Sequence, residues 1–272
     1  MIPPIPFGKP QGAPYLDIVF DIPLDRVFSY RGDPAGEAAP GRRVMAPFGR
    51  RESLGYVIGE RFELPEGVSE DSLKAVRRVV DREPVFDEDD VELARWMAGY
   101  YFCGIGEALA AMIPSGRRTG APSVPGFTED TDAIAGTPLE LSAEQEAALR
   151  AITATEPAGK PAAGGDRDPP FYLYGITGSG KTEVFLRAAE SVLGAGRSVI
   201  YLVPEISLTH QTAEAIGRRF GRTASTFHSG MSPSARLAEW MRIRRGEARI
   251  VVGPRSAVFA PLRELGLIII DE

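Results

Sequence analysis

The sequence of 272 residues predicts an α/β protein in two parts. A small β-barrel-like N-terminal unit comes first, followed by a unit built on a parallel sheet with helices on both faces. Three observations predict this. Residues 14–114 hold short apolar stretches punctuated by glycine and proline, the pattern of a small barrel-like antiparallel unit. Residues 171–272 alternate apolar runs with helix-period segments, as a parallel sheet with crossover helices requires. A glycine-rich turn at 175–182 joins a strand to a helix. Between the two parts, residues 115–140 are rich in Gly, Pro, Thr, Ser and Ala and read as a linker.

Each element follows from local pattern. Tyr15-Leu-Asp-Ile-Val-Phe-Asp alternates in the manner of a strand. Gly41–Gly49 and Leu54–Gly59 read as further strands, and Leu73–Val80 leans to strand. Asp87 caps a helix in which Leu93, Trp96, Met97, Tyr100 and Tyr101 fall at i, i+3, i+4, i+7 and i+8, which predicts an aromatic stripe facing the core, with a base-stacking platform as the alternative reading. Ser142-Ala-Glu-Gln145 is a capping box opening a short helix. A second Gly/Pro-rich stretch, 155–170, precedes an expected strand at Phe171–Tyr174. A helix over 181–193, a strand at Ser198–Val203 and a helix from about Ser207 to Arg219 come next. Ser232-Pro233 supplies the N-cap and first position of a helix reaching Arg245. Ala248–Val252 and Leu267–Ile270 are the closing strands.

Composition narrows the functional classes. The single cysteine, Cys103, builds neither a disulfide framework nor a Cys-based zinc site. Its simplest role is a buried structural thiol, in keeping with a cytoplasmic location. The N-terminus lacks the basic and apolar regions of a signal peptide, and no apolar run is long enough to span a bilayer. A net charge of −6 excludes a wholly basic nucleic-acid coat. Charge is uneven, however. Residues 217–255 hold nine arginines against Glu239 and Glu247, and a local basic patch on an acidic protein can still meet phosphates.

Gly175-Ile176-Thr177-Gly178-Ser179-Gly180-Lys181-Thr182 matches G-x-x-x-x-G-K-[ST] between an apolar strand and an amphipathic helix. Glycines let successive backbone N–H groups face one phosphate, and the helix N-terminus adds partial positive charge. Lys181 reaches the β- and γ-phosphates and the Thr182 hydroxyl ligates Mg²⁺, so the expected cofactors are ATP and Mg²⁺. The apolar strand Leu267–Ile270 ends in Asp271-Glu272, the Walker B arrangement. Asp271 is expected to hold Mg²⁺ through water, and Glu272 to orient or deprotonate the attacking water. Gln145 has the donor and acceptor to read an adenine edge, or serves only as the cap partner of Ser142. Pro204–Gln211, His228-Ser229-Gly230 and Gly253–Ala257 follow strands, at the edge where α/β sheets bind ligands. Hydroxyls, amides and arginine there suit a nucleic-acid backbone. Two histidines, His210 and His228, without acids at ligand spacing, make a poor metal site.

With these motifs assembled, the second part resembles the first RecA-like lobe of superfamily 2 helicases. More narrowly, it is similar to the primosomal protein N′ (PriA) family of replication-restart DNA helicases. The resemblance rests on 175–185, Leu-Val-Pro-Glu-Ile-Ser-Leu-Thr (202–209), His-Ser-Gly (228–230) and Gly-Pro-Arg-Ser-Ala-Val-Phe-Ala-Pro (253–261). It extends to Ile22–Tyr30, Arg43–Arg50, Leu73–Val76 and Trp96–Tyr101 in the first part. The family's N-terminal domain binds the 3′ end of a nascent strand at a fork. The resemblance implies such a 3′-end DNA-binding domain over 14–114, with Phe28, Ser29, Gly49 and Lys74 falling on its pocket. Ser29 stands where the family often has Asp. By residue type alone, Phe28 reads as core and Gly49 as a turn glycine. In the lobe, over 141–272, the implied DNA contacts are Pro204, Glu205, Thr209, His228, Ser229, Arg255 and Ser256.

The implied activity is ATP-driven 3′→5′ unwinding of DNA at stalled forks, leading to primosome assembly and replication restart. The implied partners are branched DNA, primosome proteins, single-strand binding protein and the system that loads the replicative helicase. A different superfamily 2 translocase and a non-catalytic fork-binding protein are the alternative readings. The linker is too short for the winged-helix domain usual in the family, and the expectation is a piece of a longer protein, cut at Walker B. The zinc-binding cysteines and the second lobe with its arginine finger are expected in the missing part. Poor ATP turnover by the piece alone follows, because charge stabilisation at the γ-phosphate comes from the second lobe.

Overall fold

The structure, a computed structural model, describes residues 14–33, 36–64, 68–116, 140–154, 170–176, 178–204, 216–228 and 230–271. The chain divides into two compact units, Met1–Thr119 and Gly120–Glu272.

Unit 1 is built on β1 (Tyr15–Phe20), β2 (Phe28–Arg31), β3 (Arg43–Phe48), β4 (Arg51–Arg61) and β5 (Arg78–Val79). They form one antiparallel sheet in the order β2-β1-β4-β3-β5. Alternation along β1 buries Leu16, Ile18 and Phe20, which pack with Tyr30, Val44, Ala46 and Val57. The outer strand β2 is also tied to the segment that leads into β5. The Arg31 amide donates to Lys74 O at 2.9 Å and the Val76 amide to Arg31 O at 3.2 Å, around a bridge between Arg31 and Ala75. The stretch expected as a strand from Leu73 thus pairs only locally: a 3₁₀ turn (Glu70–Ser72) precedes it, and regular pairing is confined to β5.

Arg43 is fully buried within this unit. Its guanidinium bonds both Asp81 oxygens, at 2.8 and 2.7 Å, and the carbonyls of Pro114 and Gly116 at 2.7 and 2.8 Å. A buried cation is tolerable only when paired and hydrogen-bonded in this way. The clasp fixes the end of the unit to β3.

Helix α1 (Glu88–Tyr101) starts at Asp87 with a complete capping box: Asp87 accepts from the Asp90 amide and Asp90 from the Asp87 amide. Helix α2 (Ile105–Met112), which the sequence pattern did not reveal, follows. The expected core stripe is corrected here. The buried face of α1 is Val91, Ala94, Met97 and Ala98, while Trp96 is 59% exposed and Tyr100 and Tyr101 also face outward. Val91, Ala94 and Ala98 form an equally regular i, i+3, i+7 series. This narrower face is the one that is buried, so the bulkier stripe is turned away. Cys103, expected to be buried, is only partly so.

Unit 2 contains α3 (Ala143–Thr153), α4 (Lys181–Gly194), β6 (Ser198–Leu202), β7 (Ala224–Thr226), α5 (Pro233–Arg244), β8 (Ile250–Gly253) and β9 (Leu265–Ile270). Residues 216–220 are helical, and the rest of the helix expected from Ser207 lies outside the described residues. The strands form a parallel sheet in the order β7-β8-β6-β9. One face packs Val199, Tyr201, Ala224, Ile250, Val252 and Ile269 against Leu186, Ala189 and Leu193 of α4 and against Ile216. Ser225, the next residue along β7, points the other way and donates to buried Glu239 of α5 at 2.6 Å. Helices therefore cover both faces. Ser232 caps α5 by accepting from the Ala235 amide at 3.2 Å, with Pro233 in the first turn.

The strand expected at Phe171–Tyr174 is not formed; this stretch is irregular and its aromatic rings are exposed. Apolar residues make a strand only beside a hydrogen-bonding neighbour, and no described strand pairs with these. Among the described residues, no helix is long and apolar enough to cross a membrane.

Candidate functional site

The turn at 175–182 is shaped by two glycines. Gly178 and Gly180 take φ of +82° and +79°, a region where L side chains are strained. A Cβ on Gly180 would also meet Gln145 Nε2 at 2.5 Å. Gly180 is the N-cap of α4 and offers no side chain to its first amides, which leaves the helix N-terminus suited to an anion. Lys181 Nζ donates to Gly175 O at 2.7 Å and Ile176 O at 3.1 Å, so the ammonium is folded over the loop. Thr182 is exposed at the first turn of α4 and Ser179 sits in the loop, whereas Thr177 lies outside the described residues.

Gln145 is fastened at both ends. Its Oε1 accepts from the Ser142 amide at 2.8 Å and its Nε2 donates to Ser179 O at 2.9 Å. The capping box predicted at Ser142 is present, and the same side chain ties α3 to the glycine-rich loop.

Asp271 stands at the end of β9. Its amide donates to Leu202 O at 2.9 Å, and its Oδ2 accepts from the Tyr201 hydroxyl at 2.8 Å. The Tyr201 ring meets Phe185 edge to face, with centroids 6.3 Å apart. The first turns of α4 are thereby linked to Asp271 through one aromatic side chain. Burial, reinforced by the Asp271 carboxylate, holds the Tyr201 hydroxyl protonated well above its ordinary range. Glu272 lies outside the described residues.

Because β7, β8, β6 and β9 are parallel, the residues after their C-terminal ends line one edge: His228, then Arg255 and Ser256, then Pro204, then Asp271. Arg255 and Ser256 are exposed on a 3₁₀ turn (Arg255–Phe259), and His228 and Pro204 are half-buried. Glu205, Thr209 and Ser229 lie outside the described residues.

The arginine-rich stretch 217–255 is less free than its charge implies. Arg219 bonds Glu183 at 2.7 Å and Glu190 at 2.6 Å. Arg242 bonds Glu239 and the carbonyls of Arg222 and Ala224, and Arg249 bonds Leu193 O. Much of the charge is spent inside the unit. The Arg219 guanidinium, ahead of opposing burial, holds the Glu183 carboxyl below its ordinary range.

In unit 1, Phe28 begins β2 and packs edge to face on Phe20 and Phe48, at 5.7 and 5.3 Å. The Arg26 guanidinium lies over the Phe28 ring at 5.4 Å. Gly49, at φ +60°, turns the chain between β3 and β4 immediately after Phe48. Ser29 is half-buried in β2 opposite Asp17. Lys74 is exposed, and its carbonyl accepts from the Arg31 amide. Phe28, at the start of β2, thus lies beside Phe48 and the Gly49 turn, while the backbone of Lys74 is tied to Arg31 at the end of β2. Phe28 is half-buried and contributes to the core, as its residue type implied.

Sequence reasoning did not find Tyr201, Glu183, Arg219 or Arg26. Tyr201 had a signal: it is the one residue able to donate a side-chain hydrogen bond among the aliphatic positions of Val199–Val203. Glu183 and Glu190 lie seven apart on α4, a spacing that puts two acids on one helix face for a single arginine.

The donor set fits a nucleoside triphosphate with a divalent ion: loop amides, the Lys181 ammonium, the Thr182 hydroxyl and the Asp271 carboxylate. Among the described residues, no group of three His, Cys, Asp or Glu is placed to hold a metal alone. One or two protein oxygens completed by phosphates is how Mg²⁺ is commonly bound beside a nucleotide.

Comparison with known proteins agrees with both units. Residues 17–114 match the PriA 3′DNA-binding domain (3′BD), and residues 144–272 match the DEAD/DEAH box helicase family. The chain is 48% identical to replication restart protein PriA of Treponema pallidum over 264 residues, which is 96% of this chain and 38% of that protein. It is 29% identical to the PriA of Haemophilus influenzae, over 94% of this chain and 43% of that protein. Against the Bacillus subtilis PriA it is 47% identical over 50% of this chain and 16% of that protein. The chain spans less than half the length of these curated relatives. With a 3′DNA-binding domain followed by a helicase domain in one polypeptide, the chain belongs to the PriA family of replication restart proteins and corresponds to its N-terminal part.

Proposed function

We propose that this chain is the N-terminal part of an ATP-dependent 3′→5′ DNA helicase that recognises stalled forks and starts primosome assembly and replication restart in the cytoplasm. Residues 14–114 form the barrel-like 3′-end-binding domain, with the Arg31–Ala75 bridge supporting the barrel-like description. Residues 115–140 are the linker, and 141–272 are a RecA-like ATP-binding lobe.

The observation that carries the reading is the glycine-shaped loop with Lys181 folded over it at the uncapped start of α4. The loop amides and Lys181 bind the phosphates of ATP. Thr182 and Asp271, the latter through water, hold the Mg²⁺, which when bound neutralises phosphate charge. Glu272 orients the attacking water. Gln145 keeps the loop in place through Ser179 and offers its remaining amide hydrogen and lone pair to the base. Pro204, Glu205, Thr209, His228, Ser229, Arg255 and Ser256 contact the DNA backbone from the carboxyl edge. Phe28, Ser29, Gly49 and Lys74 hold the 3′ end, with the Ser29 hydroxyl in the position of the family's usual carboxylate.

By itself the 272-residue chain binds ATP more readily than it turns it over. Zinc, the second lobe, and contacts with single-strand binding protein and the helicase-loading system are assigned to the rest of the family's length. The test is binding to forked DNA ending in a 3′-hydroxyl or a 3′-phosphate. The reading predicts preference for the 3′-hydroxyl, weakened by Lys74→Ala and untouched by Lys181→Ala. Equal binding to both ends, unaffected by Lys74→Ala, would contradict the 3′-end assignment and favour a translocase with an unrelated N-terminal domain.

A further inference from the structure

We propose that Tyr201 is a positioning residue for Asp271, holding its carboxylate in the orientation that receives the nucleotide's metal ion. The inference rests on the reading of Asp271 as the metal-side acid and adds to it a residue that no motif contains.

Tyr201 lies in the middle of the sheet with 0% of its surface exposed, flanked along β6 by Val199, Ile200 and Leu202. An aliphatic residue would fill this position without a polar group. A phenol there must find a partner, because buried hydroxyls are nearly always hydrogen-bonded. Its partner is Asp271 Oδ2 at 2.8 Å.

The register explains the reach. Tyr201 pairs with Ile269 and Leu202 with Ile270, so Asp271 sits just past the pair, where the length of a tyrosine carries its hydroxyl to the strand end. The Asp271 amide is held by Leu202 O at 2.9 Å. Backbone and carboxylate of Asp271 are thus both fixed by β6, two residues before the loop that begins at Pro204. The ring has little freedom, packed edge to face on Phe185 at 6.3 Å. Phe185 follows Thr182 by one turn of α4, so the packing spans from the phosphate-loop helix to Asp271.

The choice of donor matters. A lysine or arginine at this place would neutralise the carboxylate and compete with a cation. A neutral phenol donates one hydrogen bond to Oδ2, orients that oxygen and leaves the charge, with Oδ1, for an ion and its water. Groups that orient a metal-side carboxylate from behind usually change metal affinity by about 10- to 100-fold when removed.

The experiment measures ATP affinity of the 272-residue chain by calorimetry, with Mg²⁺ and with EDTA, the ratio of the two giving the gain due to Mg²⁺. Tyr201→Phe keeps the ring and removes the hydroxyl. It is expected to lower that gain by about 10-fold while leaving EDTA affinity and the melting temperature close to wild type. Asp271→Asn is expected to lower it as well, and Tyr201→Phe added to Asp271→Asn to do nothing more. A wild-type Mg²⁺ gain in Tyr201→Phe overturns the proposal. So does an equal loss with and without Mg²⁺, or a lowered melting temperature with the gain intact, since either assigns the hydroxyl to the scaffold. If Asp271→Asn itself keeps the full gain, the assignment of Asp271 fails, and the role of Tyr201 with it; if only Tyr201→Phe is silent, Asp271 stands.

Discussion

In unit 1 the outer strand β2 is tied through Arg31 to residues 74–76, just before the opposite outer strand β5, and a buried arginine clasps the end of the unit. In unit 2 the strand β9 lies at the end of the sheet. It leaves Ile270 71% exposed and Ile268 partly so, while Phe171, Tyr172 and Tyr174, just before the glycine-rich loop in sequence, are exposed. A tied sheet with a buried clasp concentrates stability in a few contacts of high consequence. An edge strand with outward apolar side chains is instead a surface ready to associate. Unit 1 is therefore expected to be broken by single buried changes, and unit 2 to be governed by what covers its edge.

The largest expected effect is at the clasp. Asp81→Ala leaves the Arg43 guanidinium buried with only carbonyl partners, and should cost unit 1 about 3–5 kcal/mol. Urea unfolding with hydrogen-exchange mass spectrometry, which separates the units, checks this; a loss below about 1 kcal/mol would mean the pair behaves as a surface pair. Next, Ser142→Ala removes half the capping box of α3 and should cost that helix about 1 kcal/mol. Faster exchange at Ser179 and Gly180 is expected with it, because a loosened first turn of α3 carries Gln145, whose Nε2 donates to Ser179 O.

Acid should act on unit 2 through Glu183. Its folded carboxyl titrates below the ordinary value, with Arg219 the first cause. Its contribution is therefore complete above the unfolded value of about 4.3 and is lost as pH falls through the lower folded value. Arg219→Met should flatten the fall in unit 2 stability over that window; an unchanged acid limb would show that the pair contributes nothing. The smallest effect on stability is expected at the edge itself. Ile268→Lys with Ile270→Lys should move unfolding by no more than about 0.5 kcal/mol yet reduce binding of an apolar dye and self-association. Unchanged dye binding would place the exposed apolar surface elsewhere.

Much of this was legible in the sequence because several cues are local. The glycine spacing at 175–182, the caps at Asp87, Ser142 and Ser232, and the apolar runs of β6 and β9 each depend on neighbours a few residues apart. What failed depends on partners far along the chain. The α1 stripe was misjudged because periodicity ranks bulk, while tertiary packing buried the face with Ala94 and Ala98. Phe171–Tyr174 reads as a strand by composition, but strand formation needs a pairing neighbour. At the site, Lys181 and Asp271 were identifiable from motif alone. Tyr201 was not, since only the register between β6 and β9 reveals that its hydroxyl meets Asp271. Part of the arginine-rich stretch 217–255 likewise turned inward, to Glu183, Glu190 and Glu239, contacts set by tertiary packing.

The central claim is that the loop at Gly175–Thr182 is an ATP site governed by Lys181. Titration of ATP into the full 272-residue chain in Mg²⁺ tests it most directly, with Lys181→Ala and Lys74→Ala compared side by side. Saturable one-to-one binding that Lys181→Ala abolishes and Lys74→Ala leaves intact is the predicted result. Binding of equal strength in Lys181→Ala, with the protein still folded, would contradict it.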